Sequence, residues 1–143
     1  MTFLLDVNVL IALIDGAHVH HEPAHRWFAS EGGKSWATCP FTENAVLRIV
    51  GSPRYPMSPG SPAAVVPSLK GMRSHPGHVF WPDEISLLDG AFVDPTRLLA
   101  ASQITDTYLL ALAASRGGQL ATFDRRLLTL AVARGAEHLR VIE

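Results

Sequence analysis

Two short apolar runs each finish on an aspartate: Phe3-Leu4-Leu5-Asp6 at the start of the chain and Leu120-Ala121-Thr122-Phe123-Asp124 near its end. Runs this short and this apolar read as strands buried on both faces, the pattern of a parallel sheet. Similar runs lie at 35–38, 78–81 and 139–142. Between the runs fall helix-like segments at 7–14, 23–30, 42–50, 62–74, 106–116 and 125–133, with Gly117-Gly118 and Gly135 as stop signals. Alternation of this kind predicts right-handed crossovers and a three-layer α/β/α fold around a central parallel sheet of about five strands. A Pro/Gly/Ser-rich stretch at 52–62 reads as an exposed loop, and a short helix is expected at 86–89 within a second irregular region. Neither side of the loop holds a complete strand set, so residues 1–143 form one domain.

Composition narrows the function. Hydrophobic residues make up 48% of the 143-residue chain and charged residues 17%, enough to build a core and too little charge for disorder. The formal net charge of −1 argues against a protein that grips nucleic acid through a large basic surface. One cysteine, Cys39, excludes an internal disulfide and reads as a small core residue at a strand end. Residues 2–14 are largely apolar, yet they lack a basic leader and are interrupted by Asp6 and Asn8, so folded structure is expected there. No stretch has the ~18 uninterrupted apolar residues of a membrane span, and a cytoplasmic location is the expectation.

Chemistry enters through four acids. Asp6 and Asp124 close strand-like runs, while Glu43 and Asp106 open apolar helix-like segments. Strand ends and helix starts meet at the carboxyl edge of a parallel sheet, where open α/β folds hold their ligands. Singly, Asp124 could cap a helix and Glu43 or Asp106 could answer a helix dipole. Asp6, directly after a buried strand, would pay desolvation without a partner. Together the four would repel unless a hard cation joined them, and no Lys or Arg alternates with them. Asn8, Thr105, Thr107 and Thr122 supply neutral hydrogen-bonding groups beside the acids. An all-oxygen set suits Mg²⁺ or Mn²⁺ rather than zinc. The expected reaction is phosphodiester hydrolysis by a metal-activated water. With the four acids set aside, 12 basic residues face nine remaining acids, so a metal-filled site could accept a polyanion.

Four segments carry a resemblance over essentially the whole chain. They are Phe3-Leu4-Leu5-Asp6-Val7-Asn8-Val9-Leu10-Ile11, Thr42-Glu43 with its apolar helix, Ile104-Thr105-Asp106-Thr107-Tyr108-Leu109-Leu110-Ala111, and Ala121-Thr122-Phe123-Asp124-Arg125-Arg126-Leu127. In this order and spacing they resemble the motifs of PIN-domain ribonucleases, specifically VapC-type toxins of bacterial toxin–antitoxin pairs. The resemblance implies a metal-dependent endoribonuclease in which Asp6 and Asp106 are the most direct metal ligands. Glu43 and Asp124 would complete the catalytic set, directly or through water. It also implies an RNA substrate, a cognate VapB-type antitoxin that blocks the site, and a homodimer. Two alternatives stay open: a nuclease of this fold in RNA processing or DNA cleavage without an antitoxin, and a non-catalytic metal- or partner-binding protein.

A competing motif is His21-Glu22-Pro23-Ala24-His25, a literal H-E-x-x-H. Zinc protease chemistry would need both histidines on one helix face and a third ligand elsewhere, and Pro23 confines the motif to a first helical turn. An amphipathic helix burying Trp27 and Phe28 is expected instead, with His18, His20, His21 and His25 solvated at its start. That cluster could brush a phosphate or bind adventitious metal.

Overall fold

A computed structural model describes residues 1–143. Five strands, β1 (Phe3–Leu5), β2 (Trp36–Thr38), β3 (His78–Phe80), β4 (Gln119–Thr122) and β5 (Leu139–Val141), form one sheet in the order β3-β2-β1-β4-β5. All four pairings are parallel. Helices α1 (Val7–Ile14), α2 (His21–Ser30), α3 (Pro40–Val50), α4 (Pro62–Arg73) and α5 (Ile104–Ser115) connect them.

The period-two alternation of strand side chains splits the core in two. Phe3, Leu5, Trp36 and Ala121 point into a layer filled by α1 to α4, where Val9, Leu10, Trp27, Val46 and Leu69 are buried. Leu4, Ala37 and Leu120 point into the other, filled by α5 through Leu109 to Ala114. Both faces of the central strands are thus covered, as their sequence requires, and the three-layer α/β/α expectation holds. Cys39 is fully buried, and burial pushes its thiol up to about 11, so it packs and does not react. Trp36 and Trp81 are core residues as well. α5 stops where expected: Gly117 takes φ 67°, and the Gly118 N–H returns to the Ala113 carbonyl at 2.9 Å.

Three expectations are corrected. Residues 125–133 are not a helix. Leu127, Ala131 and Val132 are buried at helix-like spacing, but the backbone pairs with a neighbouring segment instead. The Asp94 N–H donates to the Ala131 carbonyl at 2.8 Å and the Ala133 N–H to the Phe92 carbonyl at 3.0 Å, around a bridge between Val93 and Val132. Those tertiary bonds satisfy the groups an isolated helical turn would have had to nucleate. Residues 86–89 make only a turn, closed by the Asp89 N–H on the Ser86 carbonyl at 3.1 Å. β3 is an edge strand with Val79 and Phe80 exposed, so not every apolar run is covered on both faces.

Candidate active site

The register of β1 and β4 builds the centre of the site. Leu5 pairs with Ala121, and the Asp6 N–H donates to the Ala121 carbonyl at 2.9 Å, so Asp6 emerges beside Thr122. Asp6 is also the N-cap of α1: one carboxylate oxygen accepts the Val7 N–H at 2.7 Å. The other accepts the Thr122 hydroxyl at 2.8 Å. The Thr122 oxygen in turn accepts the Asn8 side-chain amide at 3.2 Å and the Asp124 N–H at 3.0 Å. Asn8 closes the ring by accepting the Phe123 N–H at 3.3 Å. One fully buried hydroxyl therefore fixes Asp6, Asn8 and the turn that carries Asp124.

Asp106 arrives from the first turn of α5. With Asp6 and Asp124 it lines an open cleft of about 430 Å³ at the carboxyl edge of the sheet, together with Asn8 and Thr105. Burial raises the Asp6 carboxyl above its ordinary value despite the bonds from Thr122 and Val7, and the charge of Asp124 adds to the rise. The Asp106 carboxyl is pushed up to about 6, first by burial and then by the charges of Asp6 and Asp124. The three aspartates thus share one field with no cation of the protein paired to them.

Glu43 is not brought to this cleft. α3 turns Phe41, Ala45, Arg48 and Ile49 toward it, and Glu43 lies about 200° round the helix from Phe41. Its carboxylate accepts the Thr38 hydroxyl at 2.6 Å and pairs with Arg73 at 3.6 Å. The Thr38 oxygen also meets Nε2 of His78 at 2.7 Å, which must donate there because the threonine proton is already committed to Glu43. Burial, then the Arg73 charge, keeps His78 below its ordinary pKa. Thr107 also falls outside the expected ring of polar groups: it is buried, and its hydroxyl has no hydrogen-bond partner.

Sequence reasoning did not assign Phe41, Arg48 and Tyr55 to the site, and they form its other wall with His18. Tyr55 comes from the Pro-rich loop and donates its hydroxyl to Asp15 at the end of α1, which ties that loop to the cleft. The proton shared with Asp15, after burial, pushes Tyr55 up to about 12. The α3 residues were detectable as a second face at spacings of four and three; nothing local marks Tyr55.

The histidines are not simply solvated. His21 Nδ1 contacts the Ala12 carbonyl at 2.8 Å and His25 Nε2 the Leu13 carbonyl at 3.0 Å, capping two of the carbonyls left open at the end of α1. His20 stacks on Phe123 with ring centroids 4.5 Å apart, and Nδ1 of His18 accepts the His20 N–H at 3.0 Å. Trp27 is buried and Phe28 packs beside it, as expected. No third His, Cys, Asp or Glu joins His21 and His25 to complete a zinc site.

A parallel α/β/α sheet with aspartates gathered at its carboxyl edge defines a class, and the model of the PIN domain matches residues 3–133. The chain belongs to the PIN-domain family. Within the family it is of the VapC type. It is 42% identical to ribonuclease VapC44 of Mycobacterium tuberculosis over 132 residues, 92% of each chain. With ribonuclease VapC39 of the same species the identity is 44% over 127 residues, 89% of this chain and 91% of that one. Among solved structures, Mycobacterium tuberculosis VapC20, a sarcin–ricin loop cleaving toxin, superposes with a TM-score of 0.64. At 14% identity over 92% of this chain and 96% of the other, that likeness speaks for the fold.

Proposed function

We propose that this chain is a metal-dependent endoribonuclease and the toxin of a type II toxin–antitoxin pair. The observation that carries the reading is the convergence of Asp6, Asp106 and Asp124, from β1, α5 and the end of β4, on one cleft where none of them has an ion-pair partner. Relatives above 40% identity over most of both chains are ribonucleases of the VapC group, which supports RNA as substrate and a VapB-type antitoxin as partner.

The donor set suits a hard divalent cation. The ligands are all oxygen, and no three acidic or histidine side chains close round a point to form a full protein cage. Mg²⁺ and Mn²⁺ need one or two carboxylates and leave room for water and phosphate. Asp6 and Asp106 are the ligands in this reading. When bound, the cation would supply Lewis acidity and a nucleophilic water near neutral pH.

The chain's own residues prepare the site. Thr122 and the Val7 N–H hold both oxygens of Asp6, leaving little rotational freedom to lose on binding. Asp124, one oxygen anchored by the Arg126 N–H at 2.8 Å, adds a third carboxyl group to the cleft that a divalent cation would enter. Glu43 joins the catalytic set only if its side chain leaves Arg73. A homodimer working in the cytoplasm completes the reading; no helix is long and apolar enough to cross a membrane.

The test is incubation of purified, antitoxin-free protein with total cellular RNA and Mg²⁺ or Mn²⁺. Discrete fragments are expected, abolished by EDTA and by Asp6→Asn/Asp106→Asn. Fragments that persist in that double variant would overturn the assignment. Growth arrest on expression, relieved by the small DNA-binding protein encoded beside it, would establish the toxin role against a processing nuclease.

A further inference from the structure

The H-E-x-x-H segment takes no part in the acidic cleft, yet its two histidines have a specific arrangement. His21 and His25 stand four apart on α2, so they share one face of the helix. Their ring centroids are 4.3 Å apart and their planes meet at 56°. Each ring uses one nitrogen on a carbonyl at the end of α1: Nδ1 of His21 on Ala12 at 2.8 Å, and Nε2 of His25 on Leu13 at 3.0 Å. A carbonyl only accepts, so these two nitrogens carry the protons. The other nitrogen of each neutral ring, Nε2 of His21 and Nδ1 of His25, therefore holds a free lone pair. Neither has a hydrogen-bond partner and neither is sealed from solvent, since His25 is exposed and His21 only half-buried.

Metal-binding histidines characteristically place their second ring nitrogen on a backbone carbonyl or a carboxylate, which sets the tautomer and fixes the ring. Both rings of this pair already meet that condition. Rings this close let one ion sit against both at the usual metal–nitrogen length of about 2.0–2.1 Å. Asp15, the C-cap of α1, supplies favourable charge nearby. The Tyr55 hydroxyl, before any other cause, holds the Asp15 carboxyl below its ordinary value, and His18 and His21 interact with that charge. No third side chain closes round the pair, so water fills the remaining coordination positions.

We propose that His21 and His25 form a binding site for a borderline transition-metal ion, Cu²⁺, Ni²⁺ or Zn²⁺, at the corner between α1 and α2. Imidazole nitrogens select these ions over Mg²⁺, which prefers oxygen, and Cu²⁺ stands highest in the ordinary order of stability. Because both rings are anchored on α1, the bound ion stabilises the folded packing of α2 against α1. The site is independent of the ribonuclease reading.

The test is calorimetric titration of tag-free Asp6→Asn/Asp106→Asn protein, which lacks the carboxylate cleft as a competing site, with each metal at pH 7.5. One equivalent of Cu²⁺ should bind, Ni²⁺ and Zn²⁺ more weakly, and Mg²⁺ not at all. In that background His21→Gln/His25→Gln keeps amide donors for the Ala12 and Leu13 carbonyls but loses the lone pairs. It should bind Cu²⁺ at least about tenfold more weakly. His18→Gln/His20→Gln should bind as the parent does. Parent affinity should fall as pH drops below about 6.5, because a protonated ring cannot ligate. Electron paramagnetic resonance of the Cu²⁺ form should show coupling to two nitrogens in the parent and to one in His25→Gln. Metal-free melts separate loss of ligand from loss of fold. If the double variant melts low, His25→Gln alone, which leaves the His21 bond in place, carries the same comparison. An unchanged affinity without His21 and His25, an equal loss without His18 and His20, or no Cu²⁺ binding by the parent would overturn the proposal.

Discussion

Asp6 and Glu43 are both carboxylates that accept a threonine hydroxyl at the carboxyl end of a strand, and they meet opposite surroundings. Thr122 holds Asp6 at 2.8 Å, and the neighbouring charges are Asp106 and Asp124. Thr38 holds Glu43 at 2.6 Å, the neighbouring charge is Arg73, and the His78 side chain donates to Thr38. Glu43 is compensated from within the protein, so its ionised form is stable without help. No Lys or Arg pairs with the three aspartates, so a cation from solution gains what their mutual repulsion costs. Similar local chemistry therefore gives a structural ion pair at the end of β2 and a candidate metal site at the end of the neighbouring β1.

The largest expected effect breaks that comparison directly. Asp6→Asn, Asp106→Asn or removal of metal should each lower RNA cleavage by at least about 1000-fold, since each removes charge the reaction needs. Glu43→Gln should cost about tenfold, the scale of a group that supports ligands from outside. Initial rates on one purified fragment would compare them. A Glu43→Gln loss equal to that of Asp6→Asn would mean that Glu43 swings into the cleft during turnover.

Stability should move the other way. A carboxyl whose folded pKa is raised binds its proton more tightly in the folded state. Its contribution is whole below the unfolded pKa of about 4 and is lost as pH rises through the folded value. For Asp106 that value is about 6. Metal-free Asp106→Asn should therefore melt a few degrees above wild type at pH 7.5, with the gain shrinking to nothing near pH 4; partial exposure limits its size. Saturating Mg²⁺ should raise the wild-type melting temperature and leave that of the variant nearly unchanged. Glu43→Gln should show no such gain, because it removes a paired charge.

Arg73→Ala sharpens the contrast further. The Arg73–Glu43 pair is half exposed on the arginine side, so its loss should cost about 1 kcal/mol or less by denaturant titration. Freed of Arg73, Glu43 can turn toward the cleft, and cleavage at limiting Mg²⁺ should hold or rise; a fall would show that the pair itself supports activity. The smallest effect belongs to the H-E-x-x-H histidines. His21→Ala and His25→Ala should each cost about 1 kcal/mol from a lost helix-end bond and leave Mg²⁺-dependent cleavage intact.

Much of the fold was legible because the strands are short and their neighbours are helices with sharp stops. The apolar runs closed by Asp6 and Asp124 hold the strands Phe3–Leu5 and Gln119–Thr122, and Gly117 ends α5 as a glycine with positive φ should. The segment 125–133 was misread because burial of Leu127, Ala131 and Val132 has helical spacing while its backbone partners lie about 40 residues earlier, around Val93. Asp6, Asp106 and Asp124 were legible as a site since each stands at an element boundary whose position in a parallel sheet is predetermined. Glu43 stands at such a boundary too, but the rotation of α3 points it elsewhere.

By itself the sequence determined the parallel sheet, the edge at which its acids collect and the oxygen-only character of that edge. Periodicity, strand length and residue type are local properties, and each is written in consecutive residues. Tertiary structure decided which charges are neutralised. Arg73 reaches Glu43 from α4, Thr122 reaches Asp6 across 116 positions, and Tyr55 folds the Pro-rich loop onto α1. Whether a carboxylate becomes an ion pair or a ligand depends on the neighbours that packing supplies, and packing brings them from distances along the chain that no local pattern records.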